Sequence, residues 1–405
     1  MNTKVYLKTQ RLQRLKAHRK FWLHIHVWLG LGLGFFLAIV GLTGSVLVFW
    51  HELDQALNSS LYHTSITQGS LKTLDEIIAA GEIAAPPGWA SINLELPQDV
   101  NDNYLFGFYY PNMSNVQEQA ELMNIAIDPY TAEVVGRRVF YHAWNPFKHC
   151  LVGFFFKLHY ALFLGATGTT LVGCMAFLFL VSVLSGLIIG WPLTGNWRRV
   201  LTIKRRASVE RFNHDLHQSA GFYNLLVLLM VLISGVYFNL PDQFRWVVER
   251  FSSLTPEAKA LKLPATSTIS VNLATALQQA LYDYPGGIAK YYTLDGEKEG
   301  LFTACFQNVP ELRRYIISER CLVLNQADGK LLQIKDPDHG SGGDLFMQWQ
   351  WPLHSGQAFG WTGRIMVFIS GLACPVLFVT GLIRWLQKKR ATRLTKISRE
   401  ANKLK

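Results

Sequence analysis

Long apolar runs alternate with mixed segments along this chain of 405 residues. Four runs, Phe21 to Trp50, Gly168 to Trp191, Gly221 to Leu240 and Thr362 to Trp385, hold few or no charges over twenty or more residues. At about 1.5 Å per residue, each can cross about 30 Å of hydrocarbon. They lack the polar face of a helix on the surface of a soluble protein. Arg364, near the start of the fourth run, is the main exception.

The landmarks of these runs recur. His159 is followed by Gly165, Gly168 and Gly186, and His354 by Gly360, Gly363 and Gly381, at equal offsets of six, nine and twenty-seven. His26 precedes Gly30 and Thr43-Gly44 as His217 precedes Gly221 and Ser234-Gly235, at offsets of four, seventeen and eighteen. The expected architecture is a bundle of four transmembrane helices with two external α+β units and an internal two-fold repeat. Such symmetry often places a functional site between the halves. The divisions are a basic arm (1–20), a first span (21–50), an external unit (51–157), a second span (158–191) and a link (192–213). A third span (214–240), a second external unit (241–353), a fourth span (354–386) and a basic tail (387–405) follow.

The mixed segments carry their own periodicity. Leu71, Leu74, Ile77 and Ile78 predict a short amphipathic helix ended by Pro86-Pro87-Gly88. Strand-like runs follow at Ala90 to Leu96, Tyr104 to Tyr109 and Leu122 to Ile127, then a turn at Asp128 to Glu133 and Val134-Val135-Gly136. The second segment repeats this order, with a helix over Asn272 to Tyr282 and strands at Ala289 to Leu294, Leu301 to Gln307, Cys321 to Asn325 and Leu331-Leu332. Each unit, of about one hundred residues, is large enough for a modest core.

Charge sets the expected orientation. The arm to Lys20 carries seven Lys/Arg, the stretch Pro192 to Asn213 six and the tail from Arg384 nine, against only Glu210 and Glu400 as acids. By the positive-inside rule these regions, and both termini, are cytoplasmic. The net charge of +11 then reflects topology and attraction to membrane lipid. A nucleic-acid function is disfavoured, because the bases flank helices and are not gathered on one domain. The first apolar run is longer than a signal-peptide core and lacks a small-residue cleavage site, which predicts a retained anchor. Gly30, Gly32 and Gly34 follow no strand, so they read as close helix or cofactor packing and not as a nucleotide loop.

Cys174 and Cys374 read as small apolar residues of the spans, whereas Cys305 and Cys321 lie on strand-like runs where a disulfide is possible. No CxxC or CxxCH occurs, which disfavours thiol redox chemistry and covalent haem attachment.

The segment closing on Ile127 to Val134 resembles a PepSY domain, and His214-Asp215-Leu216-His217 with Gly221 resembles a helix opening of the PepSY-associated transmembrane family. The strongest likeness runs from Pro352-Leu353-His354-Ser355-Gly356 through Phe359-Gly360-Trp361-Thr362-Gly363-Arg364 to Val379-Thr380-Gly381. It covers nearly the whole chain. The resemblance implies a bacterial inner-membrane protein of iron uptake, with some members similar to di-haem ferric-siderophore reductases.

Four histidines sit at repeat-equivalent positions. His26 and His217 fall at the cytoplasmic ends of their spans, His159 and His354 at the external ends, each pair drawn from different halves. That arrangement suits axial imidazoles on two b-type haems, and the glycines one or two turns along leave room for a flat macrocycle. Two irons set inside the ends of a 24-residue helix would stand on the order of 20 Å apart. Arg364 is a candidate partner for a haem propionate, with an external carboxylate an equal alternative. Trp349, Trp351 and Trp361 form either an interfacial belt or a contact surface for an apolar ligand. His24 should face away from His26, two positions on. His214 lies one turn before His217 and is a weaker ligand candidate. His18, His51, His63, His142, His149 and His339 read as surface residues. A zinc site is disfavoured, since each depth offers two clear nitrogens against the usual four ligands.

The leading functional expectation is an electron conduit that reduces a ferric siderophore or other ferric chelate outside. With no nucleotide or flavin motif, the donor would be another protein, a quinol or a diffusible reductant. The alternatives are a membrane-anchored PepSY binding or sensor protein and an iron or haem transporter.

Overall fold

A computed structural model describes residues 3–65, 69–110, 122–141, 150–192, 195–204, 206–256, 273–295, 300–325 and 327–403. The chain begins with α1 (Thr3–Leu47), α2 (Trp50–Leu57), α3 (Ser59–Tyr62) and α4 (Leu74–Ala84). Strands β1 (Ala90–Glu95), β2 (Tyr104–Tyr109), β3 (Leu122–Ile127) and β4 (Val134–Val139) follow. Next come α5 (Leu151–Ala161), α6 (Gly165–Gly190), α7 (Arg198–Leu201), α8 (Val209–Tyr223), α9 (Leu225–Asn239), α10 (Pro241–Val248) and α11 (Leu273–Asp283). The last part holds β5 (Ile288–Asp295), β6 (Leu301–Gln307), β7 (Arg320–Asn325), β8 (Leu331–Lys335), α12 (Gly342–Gln348), α13 (Gln350–Ser355) and α14 (Gly360–Lys403). Two compact units result, a helical one (1–48, 169–241 and 351–405) and a sheet-bearing one (49–168 and 242–350).

Among the described residues, three helices are long and apolar enough to cross a membrane: Ala17–Leu47, Gly165–Gly190 and Gln357–Asn402. The third expected span is not one straight helix. Its residues form the pair α8 and α9, bent by 60°, which is long and apolar enough to cross only when the two are taken together. Asn224 sits at the break with φ −94° and ψ 0°, and its Nδ2 donates to the Ala220 carbonyl at 2.8 Å. Asparagine competes for backbone hydrogen bonds in this way, which favours a break over a continuous helix. The expected arm and tail are not separate elements, for α1 and α14 run through them.

The second and fourth spans also start later than expected. His159 lies on the short α5 and His354 on the short α13, ahead of the long helices α6 and α14. Gly165 and Gly360 turn the chain with φ of +57° and +56°, a region that disfavours side chains. Three residues on, a Cβ at Gly168 would collide with the Ala161 carbonyl, and one at Gly363 with the Gly356 carbonyl. These carbonyls belong to the residues two beyond each histidine.

Helices α1 and α14 meet backbone to backbone. A Cβ on Gly41 would lie 2.6 Å from the Cys374 Cβ and 2.8 Å from the Gly371 carbonyl, and Ser45 Oγ donates across to the Phe368 carbonyl at 2.8 Å. Small residues allow such approach where the surroundings offer no hydrophobic drive for association.

In the sheet-bearing unit, the two mixed segments do not form separate sheets. They share one antiparallel sheet of eight strands in the order β4-β3-β2-β1-β5-β6-β7-β8, joined where β1 pairs β5. Register places Ile125, Phe106, Leu94, Tyr292, Ala304 and Leu322 in one row across six strands. Alternation turns this row to one face, where Ile77 and Ile78 of α4 and Ala276, Leu277 and Ala280 of α11 bury it in one core. Thr73 caps α4 by accepting from the Glu76 amide while the Glu76 carboxylate accepts from the Thr73 amide, the capping box that opens this helix. Cys305 and Cys321, cross-strand partners on β6 and β7, form the disulfide.

Each segment buries an arginine. Arg138 of β4 donates from Nη1 to Asp54 Oδ1 at 2.7 Å and from Nη2 to Asp54 Oδ2, with Asn58 and Tyr62 completing the carboxylate's shell. Burial, then the Asp54 charge, raises the Tyr62 hydroxyl above its ordinary pKa. Arg320 of β7 donates from Nε to Asp336 at 2.8 Å and from Nη2 to Glu311 at 2.9 Å. Nearby on β1, burial raises the pKa of the Glu95 carboxyl; Asp54 adds to the rise, while His51, Arg138 and Lys290 oppose it.

Asp54→Ala leaves Arg138 buried without its acid, so it should destabilise this unit by about 3–5 kcal/mol, read as a lowered thermal transition of the full chain by circular dichroism. Glu95 gives a test of opposite sign. Because its folded pKa lies above the ordinary 4.5, its stabilising form is the protonated one and is lost as pH rises through the folded value. Glu95→Gln should therefore unfold at a higher temperature than wild type at pH 8, with the gap closing toward pH 4.5. A lower midpoint for the variant at pH 8 would mean that Glu95 is held by its cations.

Candidate functional site

The helical unit encloses a cavity of about 340 Å³ between α1, α6, α14 and the α8–α9 pair. Helix α1 contributes Leu23, His26, Val27, Gly30, Leu31, Gly34 and Leu37, at the spacing of one helix face. From α8 come His214, His217, Gln218 and Gly221, from α6 Ser182, Gly186 and Gly190, and from α14 Leu377, Phe378, Gly381, Arg384, Trp385 and Lys388. The wall is apolar apart from the histidines, Ser182, Gln218, three indoles and the bases at one end.

His26 and His217 meet here, as the repeat predicts. Their ring centroids are 6.1 Å apart and their planes cross at 80°. Two imidazoles sharing one metal, each nitrogen about 2 Å from it, have centroids roughly 6 Å apart.

The hydrogen bonds place Nδ1 of each ring against an oxygen of a neighbouring helix. His26 Nδ1 lies 2.9 Å from the Ser182 carbonyl and 3.2 Å from Ser185 Oγ. A carbonyl only accepts, so Nδ1 carries the proton and Nε2 keeps its lone pair. His217 Nδ1 lies 2.9 Å from Thr380 Oγ1, whose own proton goes to the Val376 carbonyl at 2.6 Å. With its proton on Val376, Thr380 accepts from His217 Nδ1–H and leaves the lone pair on Nε2. His354 follows the same rule, with Nδ1 2.8 Å from Ser234 Oγ and that hydroxyl donating to Met230 at 2.7 Å. Fixing the outer nitrogen in this way is how proteins orient metal-binding histidines.

Each seat is one of the repeated Ser/Thr-Gly pairs. The glycine after the hydroxyl residue lets the ring lie flat against the helix: a Cβ at Gly186 would be 3.1 Å from His26 Cε1, and one at Gly381 3.3 Å from His217 Cε1. The sequence contains these pairs, but their role as histidine seats becomes visible only when α6 is placed beside α1 and α14 beside α8.

The other candidates divide. His24 is exposed, with Nδ1 2.7 Å from the Lys20 carbonyl, so it does face away from His26. His214 lines the cavity but turns Nδ1 toward Asp215 at 3.4 Å. Arg364 does not line this cavity; its Nη2 donates to the Val48 carbonyl at 2.9 Å and its guanidinium lies 4.8 Å from the Trp361 ring centre. Trp361 and Trp351 are exposed, and Trp351 packs edge-on to Phe238. Trp349 and His159 belong to the sheet-bearing unit, whereas His354 belongs to the helical one. His63 and His339 rest on Asp102 and Asp336 at 3.0 and 2.7 Å, His18 accepts from Trp22, and His51 packs beside Trp50 and Tyr62. His142 and His149 lie outside the described residues.

The donor set suits haem. Two neutral imidazoles facing one another in an apolar slot satisfy an iron whose other four nitrogens come from a macrocycle. They fall short of a zinc shell. Gly30 and Gly221, each four residues after a histidine, keep the slot open: a Cβ at Gly30 meets no atom within 4 Å, and one at Gly221 only Leu377 at 3.6 Å.

Apolar helices with a half-buried imidazole pair, together with a separate sheet-bearing unit, define a membrane protein with a cavity among its helices. The chain matches the family described as the PepSY-associated TM region over residues 23–388, and it belongs to that family. Comparison with curated proteins finds no match.

The glycine at position 30 gives a direct test of the slot. Gly30→Leu should reduce bound haem per protein by more than half while expression is kept. Gly32→Leu should leave it unchanged, because Gly32 has equal space but is exposed outside the cavity. Pyridine haemochrome absorbance on the purified variants gives the ratio, and equal values in both variants would place any haem elsewhere.

Proposed function

We propose that this chain is a di-haem electron conduit that reduces ferric chelates, such as ferric siderophores, on the outer side of a bacterial inner membrane. The observation that carries the reading is the His26–His217 pair, 6.1 Å apart across an apolar cavity, each with Nδ1 hydrogen-bonded to a neighbouring helix. The second haem, on His159 and His354, rests on the sequence repeat and on the matching hydrogen bond between His354 Nδ1 and Ser234 Oγ. The outward direction rests on the basic arm, link and tail.

In this reading the chain binds, orients and insulates. His26 and His217 would hold the inner haem, with Ser182, Ser185 and Thr380 fixing the two rings through Nδ1. The leucines and phenylalanines of the wall exclude water. Haem supplies reversible one-electron storage at its iron. The overall reaction moves a single electron from a donor protein, quinol or diffusible reductant to the ferric chelate. Iron(II) binds the chelator more weakly and leaves it. Peptide or partner binding by the PepSY-like unit is the competing reading, and it requires no haem.

Single alanine variants separate these readings. His26→Ala and His217→Ala should each lower haem content to about half and spare the outer centre, and His159→Ala and His354→Ala should do the reverse. Stopped-flow absorbance with an iron(II)-specific dye should show pre-reduced wild type reoxidised by an external ferric chelate, and His354→Ala reoxidised much more slowly. Unchanged haem content in all four variants would remove the conduit, and equal reoxidation would remove the outer delivery site.

A further inference from the structure

The cavity has a charge asymmetry that the imidazole pair does not use. One end is lined by Leu37, Phe179 and Leu228, and the other by Arg384, Lys388 and His214. On α14, Thr380 holds His217, and Arg384 and Lys388 follow one and two turns later, about 6 and 12 Å further along the axis. Both point into the same helix stripe as Leu377 and Gly381. Arg384 is half-buried, and neither base forms an ion pair among the described residues. Glu210, the acid on the first turn of α8, is exposed and influences Arg384 without a direct ion pair. A half-buried guanidinium on an apolar wall is stabilised by an anion.

We infer that Arg384 and Lys388 form a carboxylate clamp, so that the occupant of this cavity is a flat apolar macrocycle whose acid groups lie at the basic end. The inference rests on the haem reading and adds an orientation to it. A ligand gripped by both imidazoles must place its carboxylates at one end of the cavity or the other. At the leucine end two anions would be buried without partners, whereas at the basic end a guanidinium with paired donors and an ammonium meet them. Arg364, the cation singled out by the sequence, does not line this cavity and is engaged by the Val48 carbonyl.

The test compares iron protoporphyrin IX with its dimethyl ester, which keeps the ring and iron but lacks the negative charges. Full-length protein prepared without haem is titrated with each in the same detergent. Wild type should bind the free acid at least about tenfold more tightly than the ester, and Arg384→Gln/Lys388→Gln should bring the two within about threefold. Lys389→Gln removes a neighbouring charge that lies against Trp385 and off the cavity wall, and it should keep the wild-type ratio. A ratio unchanged in the double variant overturns the clamp and assigns these bases to lipid phosphate. So does an equal loss of preference in Lys389→Gln, which would trace the effect to general charge on the tail. Failure of wild type to bind either porphyrin would sink the haem reading itself, a result distinct from both.

Discussion

The helical unit depends on how closely α1 and α14 can approach. At Gly41 and Gly371 the two backbones touch, and Ser45 closes the contact by donating to the Phe368 carbonyl. Within a membrane, such packing replaces the burial that drives soluble helices together. Further along, the Phe378 ring fills the space beside Gly34, and both residues line the cavity. A larger residue at position 41 would separate the helices and with them the two walls that carry His26 and the seat of His217.

Once those walls are set, hydroxyl chemistry fixes the histidines. Thr43, Ser234 and Thr380 each donate to a carbonyl four residues back on their own helix, and Ser185 to one three residues back. A serine or threonine in that state has no proton left to give, so it faces its neighbour as an acceptor. In the three described seats the histidine rests Nδ1 on that oxygen or on the carbonyl beside it. Seat and histidine come from the same half of the chain in each case: α6 with α1, α14 with α8, and α9 with α13. The pair that faces across the cavity, His26 and His217, is thus assembled from two separately oriented parts.

In the sheet-bearing unit a different polar constraint operates. Arg138 and Arg320 are nearly fully buried, and each is matched by carboxylates that are themselves hydrogen-bonded. Paired charges of this kind add little net stability, but breaking one is expensive, so they disfavour alternative packings. The same strand order runs outward on either side of the β1–β5 pair, and the two helices α4 and α11 share one face and one core.

Much of this was legible in the sequence because it is local. Alternation located Tyr104–Tyr109, Leu122–Ile127 and Leu301–Gln307 to the residue, and the repeat singled out His26 and His217, since period and spacing depend only on neighbours along the chain. The two-residue offset also separated exposed His24 from His26. What escaped the sequence was long-range or conformational. The pairing of Leu94 with Tyr292, which fuses the two segments into one sheet, joins residues far apart in the chain. The left-handed turns at Gly165 and Gly360 put His159 and His354 on short helices of their own, and the break at Asn224 bends the third span. Arg384 and Lys388 read as topology charges until α14 placed them on the cavity wall. The sequence by itself determined which residue types recur and at what intervals; tertiary structure decided which of them face one another, because a hydrogen bond or a cavity wall is set by distance in space.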